Sequence, residues 1–103
     1  LKRFRIVYKE EAISDLQAIR SFIDQSFSGD SDTVINALVS RIRSLEYLAM
    51  SFRVRHPRKT PGLSIYAVVE LSYVIYYRVD EREGIVRIQT VRHGARRQPR
   101  RFP

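Results

Sequence analysis

The chain has no cysteine, which removes disulfides, thiolate metal sites and a thiol nucleophile together. With only two histidines, His56 and His93, neither a metal centre nor a cofactor is expected. No apolar run approaches the roughly 20 residues of a membrane span, and the opening Leu-Lys-Arg-Phe-Arg-Ile-Val-Tyr is too short in its apolar part for a secretory signal. A cytoplasmic protein without a membrane partner is expected, and the leading leucine implies a trimmed or missing native start. Acids are scarce in one half. Residues 1–50 hold seven bases and seven acids, whereas residues 51–103 hold twelve bases and four acids, so the second half carries the whole net charge of +8. Eleven of those twelve bases are arginine, whose planar fork suits paired contacts to phosphate or carboxylate. The partner surface should be anionic, either nucleic acid or an acidic protein segment.

At 103 residues a single domain, 1–103, is expected. Its centre is the stretch from Tyr73 to Arg97. Two β-branched and aromatic arms flank Asp-Glu-Arg-Glu-Gly, which predicts a hairpin turning at Asp80 to Gly84. Strict alternation puts Tyr73, Ile75, Tyr77 and Val79 on one face and Val74, Tyr76 and Arg78 on the other. In the second arm it separates Val86, Ile88 and Thr90 from Ile85, Arg87, Gln89 and Val91. Both arms carry apolar residues on both sides, so a sheet covered on both faces is expected.

Upstream, Phe4, Ile6 and Tyr8 alternate as a first strand. Glu10 and Glu11 open a helix in which Ala12, Ile13, Leu16, Ile19, Phe22, Ile23 and Phe27 recur at helical steps until about Gly29. Asp30, Ser31 or Asp32 caps a second helix, with Val34, Ile35, Leu38, Ile42, Leu45 and Leu48 on its apolar stripe. Ser51 to Gly62 reads as an exposed basic loop, Leu63 to Val69 as a strand, and Gln98 to Pro103 as a tail that stays extended or mobile unless Phe102 anchors it. The expected fold is α+β, in the order β-α-α-β-β-β: an N-terminal helical hairpin packed on a sheet with an antiparallel C-terminal meander.

In this order and at this length, the chain resembles the RelE/ParE superfamily of toxins from type II toxin–antitoxin pairs. The first helix carries an Ala-x-x-Asp-Leu-x-x-Ile pattern at Ala12, Asp15, Leu16 and Ile19. The ParE branch is favoured by Tyr73-x-Ile75-x-Tyr77-x-Val79 and by Val91-Arg92-His93-Gly94-Ala95-Arg96. Arg97 stands where an acid commonly follows, and the tail is richer in arginine and proline than that pattern. The resemblance implies a toxin that binds DNA gyrase and traps it on cleaved DNA, without substrate turnover, in a plasmid-stabilisation role. It also implies a cognate antitoxin, and contact with operator DNA only through that antitoxin. Two alternatives remain: a RelE-like endoribonuclease that cuts messenger RNA on the ribosome, and a non-toxic relative that serves only in an antitoxin–DNA complex.

The candidate target-binding residues are Arg53, Arg55, Arg58, Arg92, His93, Arg96, Arg97 and Phe102, drawn from the basic loop and the end of the last strand. If RNA were cleaved, His93 with Arg92 and Arg96 would supply a base and cations, but Phe102 lacks the hydroxyl for a proton donor. Alone, His93 is expected to stabilise its turn by a hydrogen bond, with Gly94 providing a special backbone conformation. Tyr66, Tyr73, Tyr76 and Tyr77 are expected to pack in or on the sheet. Asp15, Asp24, Asp30 and Asp32 should be solvated or capping on the helices, with Glu81 and Glu83 in a turn. Antitoxin contacts are placed at Phe22, Phe27, Ile35 and Arg87, with core packing the competing role for the apolar three.

Overall fold

The computed structural model describes residues 2–26, 29–95 and 98–102. The chain runs β1 (Arg5–Tyr8), α1 (Glu10–Asp24), α2 (Ser31–Leu48), a single 3-10 turn at Ala49–Ser51, β2 (Arg53–His56), β3 (Ile65–Glu70), β4 (Tyr73–Asp80) and β5 (Ile85–His93). The expected α+β architecture is present, with one added element. The basic segment read as a loop contains the short edge strand β2 as well as the connection. Its side chains are mostly exposed, so no burial pattern marked it in the sequence.

Each helix end has a local cause. Acids in the first turn favour the start of α1, and Ala12 and Ile23 turn inward. It stops at Asp24, short of Gly29. Gly29 marks the point where the chain doubles back, since a Cβ there would lie 2.2 Å from Ile23 Cγ2. Asp30 then caps α2, its carboxylate accepting from the Thr33 amide and hydroxyl, bonds that hold its pKa below the usual value. Arg20 ties the hairpin together by donating to Asp32 Oδ1 at 2.8 Å and Ser31 Oγ at 3.3 Å.

The five strands form one mixed sheet in the order β1-β5-β4-β3-β2. β1 runs parallel to β5, and the remaining neighbours are antiparallel. The hairpin therefore does sit inside the sheet. One face packs on the helices: Leu38, Ile42, Leu45 and Ala12 meet Val68, Ile75, Tyr77, Val79, Val86, Ile88 and Val91. The other face carries Ile65, Ala67 and Tyr76, with Val74 and Phe102 against them. The tail is thus anchored by Phe102 over the far face of the sheet. Among the described residues, no helix is long and apolar enough to cross a membrane.

Strict alternation fails at one place in β5. Tyr77 pairs with Ile88 but Tyr76 with Thr90, so Gln89 is an extra, bulged residue. Val91 is thereby moved opposite Ile75 and joins Val86 and Ile88 in the helix-side core, not the group with Gln89 that the alternation predicted.

Candidate functional site

Antiparallel registers determine which cations share a face. Arg53 lies opposite Ala67 and His56 opposite Ile65, so both lie on the far face, where Ile65 and Ala67 cluster with Tyr76. A register shift between Val54 and His56 makes Arg55 the irregular residue. Arg55 and Arg92 both act electrostatically on the Tyr76 phenol, and Arg58 acts on Arg78. The two basic segments therefore border one surface, with Tyr76 and Arg78 between them. Burial raises the Tyr76 pKa while Arg55 and Arg92 pull it down. Burial lowers that of Arg78, and the neighbouring Arg58 adds to the shift.

Among the described residues, two of its arginines pair with acids at its rims. Arg92 lies 3.5 Å from Glu11 and Arg87 3.8 Å from Asp80. Arg53, Arg55 and Arg58 make no ion pair among the described residues. Exposed guanidinium groups without an ion-pair partner favour phosphate or carboxylate, and they can do so without any bond being made or broken. Groups of metal-binding side chains are absent among the described residues.

The expected cluster at the end of β5 comes apart. His93 pairs with Tyr73 and stacks edge-on against its ring at 5.3 Å. It lines a cleft of about 490 Å³ on the helix side with Asp15, Ala18, Ile19, Phe22, Tyr73 and Val91. Arg92, its neighbour in sequence, lies opposite Val74 on the far face, acts there on Tyr76, and reaches around the edge of β5 to Glu11 of α1. Adjacent strand residues point to opposite faces, so His93 and Arg92 are not one catalytic group. The His93 ring does make the expected turn contact, its Nδ1 accepting from the Ala95 amide at 3.0 Å. Gly94 plays a different role from the one expected. Its φ is not positive, and its contribution is a backbone bond, the amide donating to the Ser72 carbonyl at 2.7 Å. Arg96 and Arg97 lie outside the described residues.

Two features were missed in the sequence. Asp15 is not a solvated helix carboxylate: its Oδ2 accepts from the Val91 amide at 2.9 Å and from the Thr90 hydroxyl. It occupies the edge of β5 beyond the last β1 pair, Tyr8 with Ile88. The second is the placing of Tyr76, Arg78 and Gln98 beside His56 on the cationic face. His56 belonged to the basic segment in the sequence, and the period-2 assignment put Tyr76 and Arg78 together, but nothing pointed to Gln98.

The antitoxin candidates do not form one patch. Phe22 is 73% exposed and opens onto the cleft with His93. Ile35 lines a second cleft of about 350 Å³, with Tyr8, Ile13, Leu16, Gln17, Arg20 and Val39. Arg87 is in β5, opposite Arg78. Phe27 lies outside the described residues.

Two helices packed on a five-stranded mixed sheet form an α+β fold that matches RelE/ParE toxin structures. Residues 6–98 match the family described as the ParE toxin of the type II toxin–antitoxin system parDE, and the chain belongs to that family. Among solved structures it is similar to one titled as the chromosomal ParDE system of P. aeruginosa, at 14% identity and a TM-score of 0.69, covering 90% of this chain and 98% of that one. It is also similar to a toxin–antitoxin complex, RelBE2, from Mycobacterium tuberculosis, at 17% identity and a TM-score of 0.64, covering 88% and 98%. A third is an archaeal RelE–RelB complex from Pyrococcus horikoshii, at 16% identity and a TM-score of 0.65, covering 92% and 99%. No curated protein matches the sequence.

Proposed function

We propose that this toxin acts by binding DNA gyrase through its cationic face and trapping the cleaved DNA complex. What supports binding over turnover is the separation of His93 from Arg92, together with the engagement of the Tyr76 hydroxyl by Gln98. Arg53, Arg55, Arg58 and Arg92, with Phe102 seated among them, are the residues assigned to the target. A cognate antitoxin, of the kind found in the ParDE and RelBE structures, is assigned to the helix side, over Phe22 and Ile35.

The test is purified gyrase with plasmid and ATP, scoring linear DNA after detergent and protease. The expected result is linear DNA with the wild-type chain, suppressed by antitoxin, and potency reduced at least about tenfold in the Arg55→Glu, Arg58→Glu variant, since like charges at a docking surface oppose association. Supercoiled, uncut plasmid at every toxin concentration overturns the reading.

A RelE-like nuclease is the second reading, favoured by the presence of His56 and the Tyr76 phenol on the same face as the arginines. It requires codon-phased cuts in a translated message that disappear in His56→Ala. Uncut message excludes it.

A further inference from the structure

The tail lies on the cationic face although it is itself cationic. Gln98 is fixed at one end, its Oε1 accepting from the Tyr76 hydroxyl and its Nε2 donating to the His93 carbonyl at 3.3 Å. Phe102 is fixed at the other, with its ring centroid 5.2 Å from Tyr76 and 5.5 Å from His56, tilted by about half a right angle to each. The Phe102 carbonyl accepts from Arg78 Nη2 at 3.5 Å. Between these anchors Arg100 and Arg101 are exposed. They sit over a face that already bears Arg55, Arg58, Arg78 and Arg92. Like charge opposes the placement, and five ordered residues lose backbone freedom; against these costs stand the Phe102 ring contacts, the Gln98 bonds and the Arg78 bond to the Phe102 carbonyl.

The anchors are contacts of a kind that a base and a phosphate also make. The Phe102 ring leans against an aromatic pair, and its carbonyl oxygen accepts from an arginine. We propose that Gln98–Phe102 is a strap that competes with an anionic chain for the cationic face, the favoured competitor being a single-stranded phosphodiester. Its bases replace Phe102 on Tyr76 and His56, and its phosphates take Arg78 and the surrounding arginines. A phosphodiester is favoured over an acidic peptide because the strap vacates an aromatic platform, which carboxylates do not use. This inference rests on the reading that the cationic face is the docking face, and its test uses no gyrase.

The experiment measures binding of a fluorescently labelled oligothymidylate by anisotropy at one fixed ionic strength. Phe102→Ala leaves every charge in place but removes the ring anchor, and Gln98→Ala removes the other. Both should bind the probe on the order of threefold more tightly or better than wild type, since apparent affinity scales with the open fraction. Adding Arg55→Glu and Arg58→Glu to Phe102→Ala should abolish the gain. Unchanged, absent or weaker binding in the anchor variants overturns the strap, as does a gain that survives the charge reversals. A gain for a labelled polyglutamate but not for oligothymidylate overturns it as well. Loss of gyrase trapping with the probe result intact would discard the gyrase reading and leave the strap standing.

Discussion

Tyr77 shows how one side chain links the sheet to the helical layer. It is fully buried, stacks on Tyr66 at 5.4 Å, and its hydroxyl donates to the Ala49 carbonyl at 2.7 Å. That bond pins the 3-10 turn after α2 to the centre of β4. Burial raises its pKa strongly, and Tyr66 adds to the shift. The folded pKa lies above the unfolded one, so its stabilisation is complete below about pH 10 and declines as pH rises through the folded value. Tyr77→Phe leaves the Ala49 oxygen without this donor, and urea unfolding at neutral pH should show a loss of about 1–3 kcal/mol. The same variant should lose less stability than wild type between neutral pH and pH above about 10. An equal alkaline loss in both would show that Tyr77 does not titrate on unfolding.

At the scale of elements, the lengths of β1 and β5 do not match. β1 pairs with β5 only as far as Ile88, yet β5 continues to His93. The Asp15 carboxylate takes the next edge amide, that of Val91, so α1 completes the sheet where the strand ends. Asp15→Ala should cost about 1–3 kcal/mol, the range for losing a bond to a charged acceptor at a partly buried site. Hydrogen exchange supplies the selective reading: the Val91 amide should exchange faster than in wild type by more than the global stability loss accounts for. Exchange at Val91 that only tracks global unfolding would give Asp15 no role at the edge. The Gln89 bulge belongs to the same region and explains why Val91 faces α1 at all.

For the whole molecule, the sheet separates two surfaces of opposite character. The helix side has an apolar cleft with Phe22 and His93 at its lining, and the far side has the arginines under the tail. Under the proposed assignment, antitoxin and target need not compete for the same side chains. Phe22→Ser should change folding stability by no more than about 0.5 kcal/mol, as expected of an exposed site. It should weaken antitoxin binding at least about tenfold by calorimetry, in line with loss of an aromatic anchor, while gyrase trapping in the absence of antitoxin stays unchanged. Antitoxin affinity equal to wild type would move the antitoxin site away from this cleft.

Local patterns were enough to define four of the five strands, β2 being the exception, together with the two amphipathic helices, the Asp30 cap, the hairpin turn and the concentration of charge in the second half. Each depends on neighbours a few residues apart, where spacing and residue type act directly. The period-2 rule also assigned Tyr76 and Arg78 to one face and contained the separation of Arg92 from His93, which grouping by sequence proximity concealed. Tertiary structure decided the rest. Asp15 meets Val91 across 76 positions and Tyr76 meets Gln98 across 22. Neither contact has a local signature, because it depends on where α1 crosses the sheet edge and on which face the tail returns. Tertiary packing also chose the face that meets the helices, since both carried apolar residues, and so put His93 under α1 and left the arginines opposite.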